Sequence, residues 1–450
     1  LERDEIVTSL DKISATQFGA APENADRLPG WLRDAQSGGR KAFGDWGLPT
    51  KRVEDWKYTD LSDIARLSFL SAHRSDARFD ADWMADAPFA DVDGYRITII
   101  NGRLSSDFSN VGNLVGVDAI AFRDLGAEDP DWVRDTLRTD FVGAEDAMSA
   151  LTLANMQDGY CIRIQAGVRL EKPIVVVNYT QGLGGEAIAS SYARHVIVVE
   201  EGAEAVLLEA YCGDDRSSYF QNVGIDVRVE AGGAFGYAKM QAEAENARHL
   251  ARMNVRLARD SAFQGFVMTL GGALARHEAR IVLGEPNAKA TLNGALLGAG
   301  DQHSDITTVI DHVAPDCRSA QKFKAVLDER ARGVFQGRVT VHRDAQRSDG
   351  RQSINSLLLS DRAEIDAKPE LKIFADDVKC AHGATSGDLD EDALFYLRAR
   401  GIDEESARGL LILAFLDDVV EGAPEIAQES CAVAARNWLA KNLAGVRVDE

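Results

Sequence analysis

Between residues 159 and 379 the chain alternates apolar and polar positions with a period of two, in short runs broken by acidic or small-residue turns. CIRIQAGVRLEKPIVVVNY, HVIVVEEGAEAVLLEAY, GIDVRVEAGGAFGYAKM, NVRLARDSAFQGFVM, ARIVLGEPNAKATLNGALL and TTVIDHVAPDCRSAQKFKAVL each read as a strand, a turn and a second strand. The turns fall near Gly202, Gly232, Asp260, Pro286 and Pro315, at intervals of roughly 26 to 30 residues, which is a spacing of stacked repeats. A β-sandwich and a parallel β-helix both produce such a pattern. Only some of the turns carry the Asn-Gly or Asp-Gly signature of sandwich hairpins, and the likeness from one unit to the next favours the β-helix. Its ends would expose strand edges that something must cover.

The flanks change period. Ile6, Leu10 and Ile13 stand at helical spacing, and Pro22, Pro29, Gly38 and Gly39 punctuate two or three helices before residue 47. LPTKRVEDWKYTDL follows; Trp56, Tyr58 and Leu61 carry its apolar area and favour a segment that docks on the main body over a surface substrate loop. Residues 71–88 are polar and Asp-rich connecting chain, and a strand over 95–100 runs into a tight turn at Asn101-Gly102. Residues 128–155 return to helical spacing, with Trp132, Leu137, Phe141, Met148, Leu151 and Leu153 facing inward. After His382 three helices are expected. Asp388 or Asp390 caps the first, which bears Leu394, Phe395 and Leu397 and stops at Gly401. Asp403 caps the second, and Pro424 opens a third bearing Ile426, Val433, Trp438 and Leu439. The expected division is a mostly helical region over 1–155, a β core over 156–380 and a helical module over 381–450.

Composition narrows the function. With 45% hydrophobic residues the chain is that of a folded protein, and 450 residues exceed one ordinary core. Asp and Glu number 72 against 50 Lys and Arg, and the formal charge of −22 repels nucleic-acid phosphates and anionic membranes alike. The longest strongly apolar run, residues 409–416, is too short for a bilayer. Cys161, Cys212, Cys317, Cys380 and Cys431 are odd in number, widely spaced and without a C-x-x-C pair, which points to a reducing cytoplasm. No signal-peptide pattern opens the chain, although it begins at Leu1, which leaves a removed segment open.

Candidate chemistry gathers in PELKIFADDVKCAHGATSG, residues 369–387. The stretch reads as an alternating strand through Leu371 and Ile373, the acid pair Asp376-Asp377, and a small-residue loop after His382. In extended chain residues two apart share a face, so Cys380 and His382 project a thiol and an imidazole side by side. A soft sulfur beside a nitrogen suits iron, zinc or copper. Two ligands do not hold an iron-sulfur centre, so others must come from elsewhere. His73, His195, His249, His277, His303, His312 and His342 lack a second ligand at a metal spacing and read as structural or surface residues. No GxxxxGK[ST], H-E-x-x-H or G-x-S-x-G is present, so nothing marks the chain as a nucleotide hydrolase or a common hydrolase.

The run ADDVKCAHGATSGDLDEDALFYLRARGI, with RARGVFQGRVTVHRDAQ before it and KRVEDWKYTDL near the start, resembles the SufB/SufD family of iron-sulfur cluster assembly scaffolds, and its C-x-H-G-A-T run resembles the SufD branch. The resemblance runs in outline over residues 51–443 and is most specific over 311–402. It implies a right-handed parallel β-helix flanked by N- and C-terminal helical domains. It also implies a SufB-like partner subunit and a SufC-like ATPase docked on the C-terminal helices, whose ATP-driven movement opens the interface between subunits. By the same resemblance His382 works with a cysteine of the SufB-like partner as ligand or proton acceptor, with Cys380 as helper or alternate ligand. The cluster would be transient cargo shared with the partner; no permanently bound cofactor is expected, and no residue predicts a flavin site. Alone, the chain could form a homodimer. The competing readings are a β-helix enzyme acting on polysaccharide, against which the missing export signal and the helical C-terminus weigh, and a purely structural subunit in which Cys380 and His382 only hold their loop.

Overall fold

The computed structural model describes residues 15–19, 28–72, 82–110, 114–126, 130–183, 188–215 and 217–443. Ile6, Leu10, Ile13, Pro22 and His73, and residues 73–81 of the expected connecting chain, lie outside them. The chain is mainly β, built around a parallel β-solenoid of about seven turns between residues 174 and 387, with helices at both ends. Each coil of the solenoid contributes one strand to each of two ten-stranded sheets. Within a sheet the strands are parallel and in register, so one side-chain type stacks on its counterpart a coil later. Val227, Val255, Ile281, Ile310, Val339 and Leu371 form one such column. Its first five members are buried or nearly so in the lumen between the sheets, each contributing about 1.5–3 kcal/mol of apolar burial.

A left-handed residue turns six successive corners on one side of the solenoid: Gly202 (φ 64°), Gly232 (65°), Asp260 (58°), Asn287 (64°), Asp316 (62°) and Arg347 (61°). Glycine takes this conformation without a steric penalty, and Asn and Asp tolerate it better than most residues. Two of the corners expected at prolines fall one residue later, on Asn287 and Asp316. Neighbouring corners also bond to each other: Asn287 Nδ2 donates to Asp260 Oδ1 at 2.9 Å, and the Arg347 guanidinium grips both Asp316 oxygens.

The N-terminal region supplies strands as well as helices. Tyr95–Ile100 pairs in parallel with Ile174–Thr180, turns at Asn101 (φ 51°) and Gly102 (φ 79°), and returns as the antiparallel edge Arg103–Ser105. Val117–Ala121 closes the other sheet against Tyr160–Ile164. The solenoid is thus capped at its start by its own chain. Helices α1 (Gly30–Trp46), α2 (Ser62–Ala65), α3 (Asp131–Thr136) and α4 (Ala147–Asn155) precede the solenoid, and α1 and α4 pack closely. Gly39 permits that approach, since a Cβ there would lie 2.8 Å from the Ala150 carbonyl oxygen. Trp56 is buried under the Arg276 guanidinium, 4.1 Å from the ring centroid, and Arg276 Nη2 donates to the Asp55 carbonyl at 2.7 Å. Arg276 also pairs with Asp305, while Asp146 gathers Arg138, Arg252 and Arg280. The docking segment is therefore held by an ion-pair seam on the outer face of one sheet.

Helices α6 (Glu404–Val420) and α7 (Glu425–Asn442) cover the outer face of the other sheet, and α5 (Glu391–Ala399) packs on α6. Asp390 accepts from the amides of Asp392 and Ala393, and Asp403 from that of Ser406, so both helix starts are capped. Ile412, Leu416, Val419, Trp438 and Leu439 bury against Leu208, Met240, Met268 and Leu297. Phe395, Tyr396 and Leu410 stay exposed, as do Ile426 and Val433 of α7. No helix among the described residues is long and apolar enough to cross a membrane.

The lumen is not wholly apolar. Glu209 is buried and accepts from the hydroxyls of Tyr160 (3.3 Å), Tyr211 (2.9 Å) and Tyr237 (2.6 Å). One coil on, at the same register position, stands Lys239, whose Nζ is 2.8 Å from His249 Nε2; His249 Nδ1 is in turn 2.8 Å from Glu243. Burial raises the Glu209 carboxyl and lowers Lys239 to about 8. Burial likewise lowers His195 to about 3 and His312 to about 4, and it depresses His249 and His277. Burial alone would raise Glu278, but Arg252, Arg280 and Arg276 outweigh it and hold that carboxylate at about 2.

The sign of the pH dependence follows. Between pH 6.5 and the depressed folded values the unfolded chain binds more protons at these histidines than the folded chain does, so stability falls as pH falls through that window. Glu278 acts in the same direction below about 4.5. Urea unfolding from pH 7 to pH 4 is expected to lose on the order of 1 kcal/mol per pH unit for each histidine that titrates. His277→Leu should flatten that slope, because both its buried ring nitrogens lack a partner. A slope that does not change in this variant contradicts a buried neutral His277.

Candidate functional site

The last coil consists of strand Glu364–Ile373 in one sheet and strand Lys379–Gly387 in the other. Each is the end of its sheet, and among the described residues no further strand follows either. The segment 374–378 turns the chain from one sheet to the other, tied to the preceding coil by the Arg347 amide on the Asp377 carbonyl (2.6 Å) and the Asp377 amide on Gln346 Oε1 (3.0 Å). Leu371 and His382 therefore stand in different sheets rather than along one strand.

Cys380 and His382 lie inside the last strand, where the sequence pattern placed a loop after His382. Gly383, Ala384, Ser386 and Gly387 have little intrinsic preference for strand, but the ladder offered by Asp349–Leu358 overrides it. In that ladder Cys380 pairs with Gly350 and His382 with Gln352. Gly350, Gln352 and Ile354 are buried while Arg351, Ser353 and Asn355 between them are more open, so Cys380, His382 and Ala384 occupy the lumen side of the open coil. The structure thus brings Cys380 and His382 to one face, at the solenoid's bare end.

The two differ in surroundings. The imidazole of His382 is exposed. Cys380 is half-buried against the lumen core, and burial pushes its thiol up; the Gly350 amide works against that shift and the Asp349 carboxylate adds to it. A Cβ at Gly350 would sit 3.5 Å from Cys380 Sγ and 3.7 Å from Ser319 Oγ, so the missing side chain leaves a notch under the thiol. Ser319 Oγ in turn lies 2.7 Å from His312 Nε2. His303 bonds Thr59 of the docking segment at 3.0 Å, and His342 lies 3.8 Å from Asp311. Among the described residues no group of three or more His, Cys, Asp or Glu could hold a metal ion. Cys380 and His382 can offer two donors at most, and a shared cargo would need the rest from another chain.

The SUF system FeS cluster assembly, SufBD core domain family matches residues 181–415, more than half of the chain, and the SufBD protein N-terminal region matches residues 29–176. The chain belongs to the SufBD family. Among its relatives, it is 30% identical to the iron-sulfur cluster assembly protein SufD of Escherichia coli, over 83% of this chain and 85% of that protein. It is also 30% identical to protein ABCI7, chloroplastic, of Arabidopsis thaliana, over 94% of this chain and 88% of that one. With the iron-sulfur cluster assembly protein SufB of Bacillus subtilis the identity is 23%, over 70% and 68% of the two chains. The core-domain match of this SufBD chain takes in the solenoid after its first strand, the last coil and most of α6.

The polar lumen residues escaped the sequence pattern, although a signal for them was present. Glu209 and Lys239 each fall seven residues beyond their corner glycine, Gly202 and Gly232, and aligning coils on those corners stacks one upon the other. A second large feature is a cleft of about 810 Å3 between residues 85–91, the solenoid rim and α7, where Lys441 reaches Glu245 at 3.5 Å. It lies away from Cys380 and His382.

The placement of the thiols is testable. Cys161, Cys317 and Cys431 are fully buried and Cys212 is pushed up to about 12 by burial, so Cys380 should be the first cysteine to react with a thiol reagent near pH 8. It should still react slowly, since each unit of raised pKa lowers the thiolate fraction about tenfold. Cys380→Ser is expected to remove the first phase; persistence of that phase would contradict the half-exposed position.

Proposed function

We propose that this chain is a non-catalytic scaffold subunit for iron-sulfur cluster assembly, whose bare last coil pairs with a SufB-like subunit and places His382 and Cys380 at the junction. One observation carries the reading: among the described residues the solenoid ends on an uncovered strand that sets an exposed imidazole and a half-buried thiol on one face. A strand edge with unpaired backbone groups is a template for another chain, and a two-donor set is half of what a cluster needs. The nascent cluster is cargo held across the junction. His382 serves as ligand or as proton acceptor when bound thiols or water lose protons, and Cys380 is the helper whose buried thiol becomes a ligand once a metal ion compensates for lost solvation.

The exposed Phe395, Tyr396 and Leu410 on α5 and α6 support a docking face for a SufC-like ATPase. ATP-driven movement of that partner would be transmitted through α6, which is packed on the solenoid, to the junction. In the absence of a SufB-like partner, the same edge would support a homodimer. A cytoplasmic location is consistent with five free cysteines.

The test is co-expression with SufB-like and SufC-like partners under anaerobic conditions, measuring iron, sulfide and visible absorption at equal subunit stoichiometry. His382→Ala is expected to leave the complex assembled and to reduce bound cluster at least tenfold. Full cluster content in this variant would leave the chain a structural half of the scaffold. Cys380→Ala is expected to give a smaller loss.

A further inference from the structure

The lumen directly behind the last coil contains polar side chains with nothing to bond. Gln352 is 3% exposed, and neither its Oε1 nor its Nε2 has a partner; Gln321, one coil earlier in the same column, is equally buried and equally unpartnered. Buried amides in folded proteins are satisfied almost without exception, so each such group asks for a partner. The site was built to admit the Gln352 side chain: a Cβ on Gly337 of the facing sheet would lie 1.7 Å from Gln352 Nε2, and only glycine lets the amide cross the lumen there.

The next member of the column is His382. Coils are separated by about 4.8 Å, a distance that rotation of either side chain closes to a hydrogen bond. The residues that flank His382 on the lumen face are Cys380 and Ala384, a weak hydrogen-bonding group and an apolar one. The imidazole is therefore the strong donor and acceptor that the open coil sets over Gln352.

We propose that Gln352 is the positioning residue of His382. Its amide oxygen accepts from one ring N–H, which fixes the tautomer and orientation of the imidazole and leaves the other nitrogen, with its lone pair, directed to the bare edge. A neutral amide does this without drawing a proton onto the ring, as a carboxylate would, and so keeps the imidazole in the form that binds metal or accepts a proton. The purpose of this arrangement rests on the assembly reading; the contact itself does not, and it can be measured without any cluster.

The experiment uses the full chain with ring-15N-labelled histidine, and assigns the His382 signal by its loss in His382→Ala. Two-bond 15N–1H spectra are expected to show one dominant tautomer in the native chain. Gln352→Leu should lose it and give the averaged shifts of an unconstrained imidazole, whereas Gln352→Glu, which places a carboxylate under the ring, should draw a second proton onto it and move both nitrogens toward imidazolium shifts. Gln321→Leu, which deletes the same kind of buried amide one coil deeper, should leave His382 as in the native chain. An averaged ring in the native protein overturns the proposal, as does a tautomer unchanged in folded Gln352→Leu. An equal effect of Gln321→Leu also overturns it, by assigning the change to a loosened lumen. If the tautomer result holds while His382→Ala retains its cluster, the positioning contact stands and the assembly reading falls; the opposite pair of results separates them the other way.

Discussion

A parallel coil of strands satisfies every backbone group of its interior by pairing each coil with the next, and for that reason it cannot satisfy its last one. At the first coil this chain solves the problem internally, with the antiparallel edges Arg103–Ser105 and Val117–Ala121. At the other end, among the described residues, Glu364–Ile373 and Lys379–Gly387 are left as edges. Folded proteins usually blunt such edges. Glu364–Ile373 follows that habit, carrying Lys368, Glu370 and Lys372, and Pro369, which removes one donor. Lys379–Gly387 has no proline and mostly small side chains. The strand that bears Cys380 and His382 is thus the one that offers its backbone with least obstruction.

The rest of the molecule packs along the flanks of the two sheets. Helices α6 and α7 lie along one sheet through apolar contact, and the N-terminal helices lie along the other through apolar contact with Tyr192, Phe220, Leu250 and Leu274, beside a seam of ion pairs. Exposed pairs such as Arg330 with Asp301 contribute little, because water screens them. Asp146 is different: it is buried among Arg138, Arg252 and Arg280, and its loss would leave Arg252 and Arg280 to share Glu278, which costs more than the loss of an exposed pair. The seam therefore fixes where the N-terminal domain sits more than it adds net stability. The same logic holds in the lumen, where Glu209 with its three tyrosines and Lys239 with His249 lock the side-chain register of successive coils.

Much of this was legible in the sequence. Period-two alternation and corner residues every 26 to 30 positions lead to stacked coils, because a corner repeated at that spacing returns the chain to the same sheet each time, and Gly, Asn and Asp readily take the left-handed conformation that most of these corners use. The caps at Asp390 and Asp403 and the turn at Asn101-Gly102 follow from local chemistry alone. Cys380 and His382 could be paired because period two in extended chain already sets them on one side. What stayed hidden depends on register between coils. Residues 383–387 look like a loop until the strand Asp349–Leu358 is present to pair with them. Glu209, Lys239, Gln321 and Gln352 look like ordinary polar positions until the coils are superposed and the glycines opposite them, such as Gly337, are seen to make room.

The central claim is that strand Lys379–Gly387 is an edge held ready for another chain. Hydrogen–deuterium exchange of its amides, compared between the chain alone at low concentration and the chain bound to a SufB-like subunit, tests this most directly. The account predicts fast exchange over residues 380–387 in the isolated chain and protection of at least tenfold in the complex, while the interior strands stay slow in both. Equal exchange in the two states, with the complex demonstrably formed, would contradict it and move the junction to another surface.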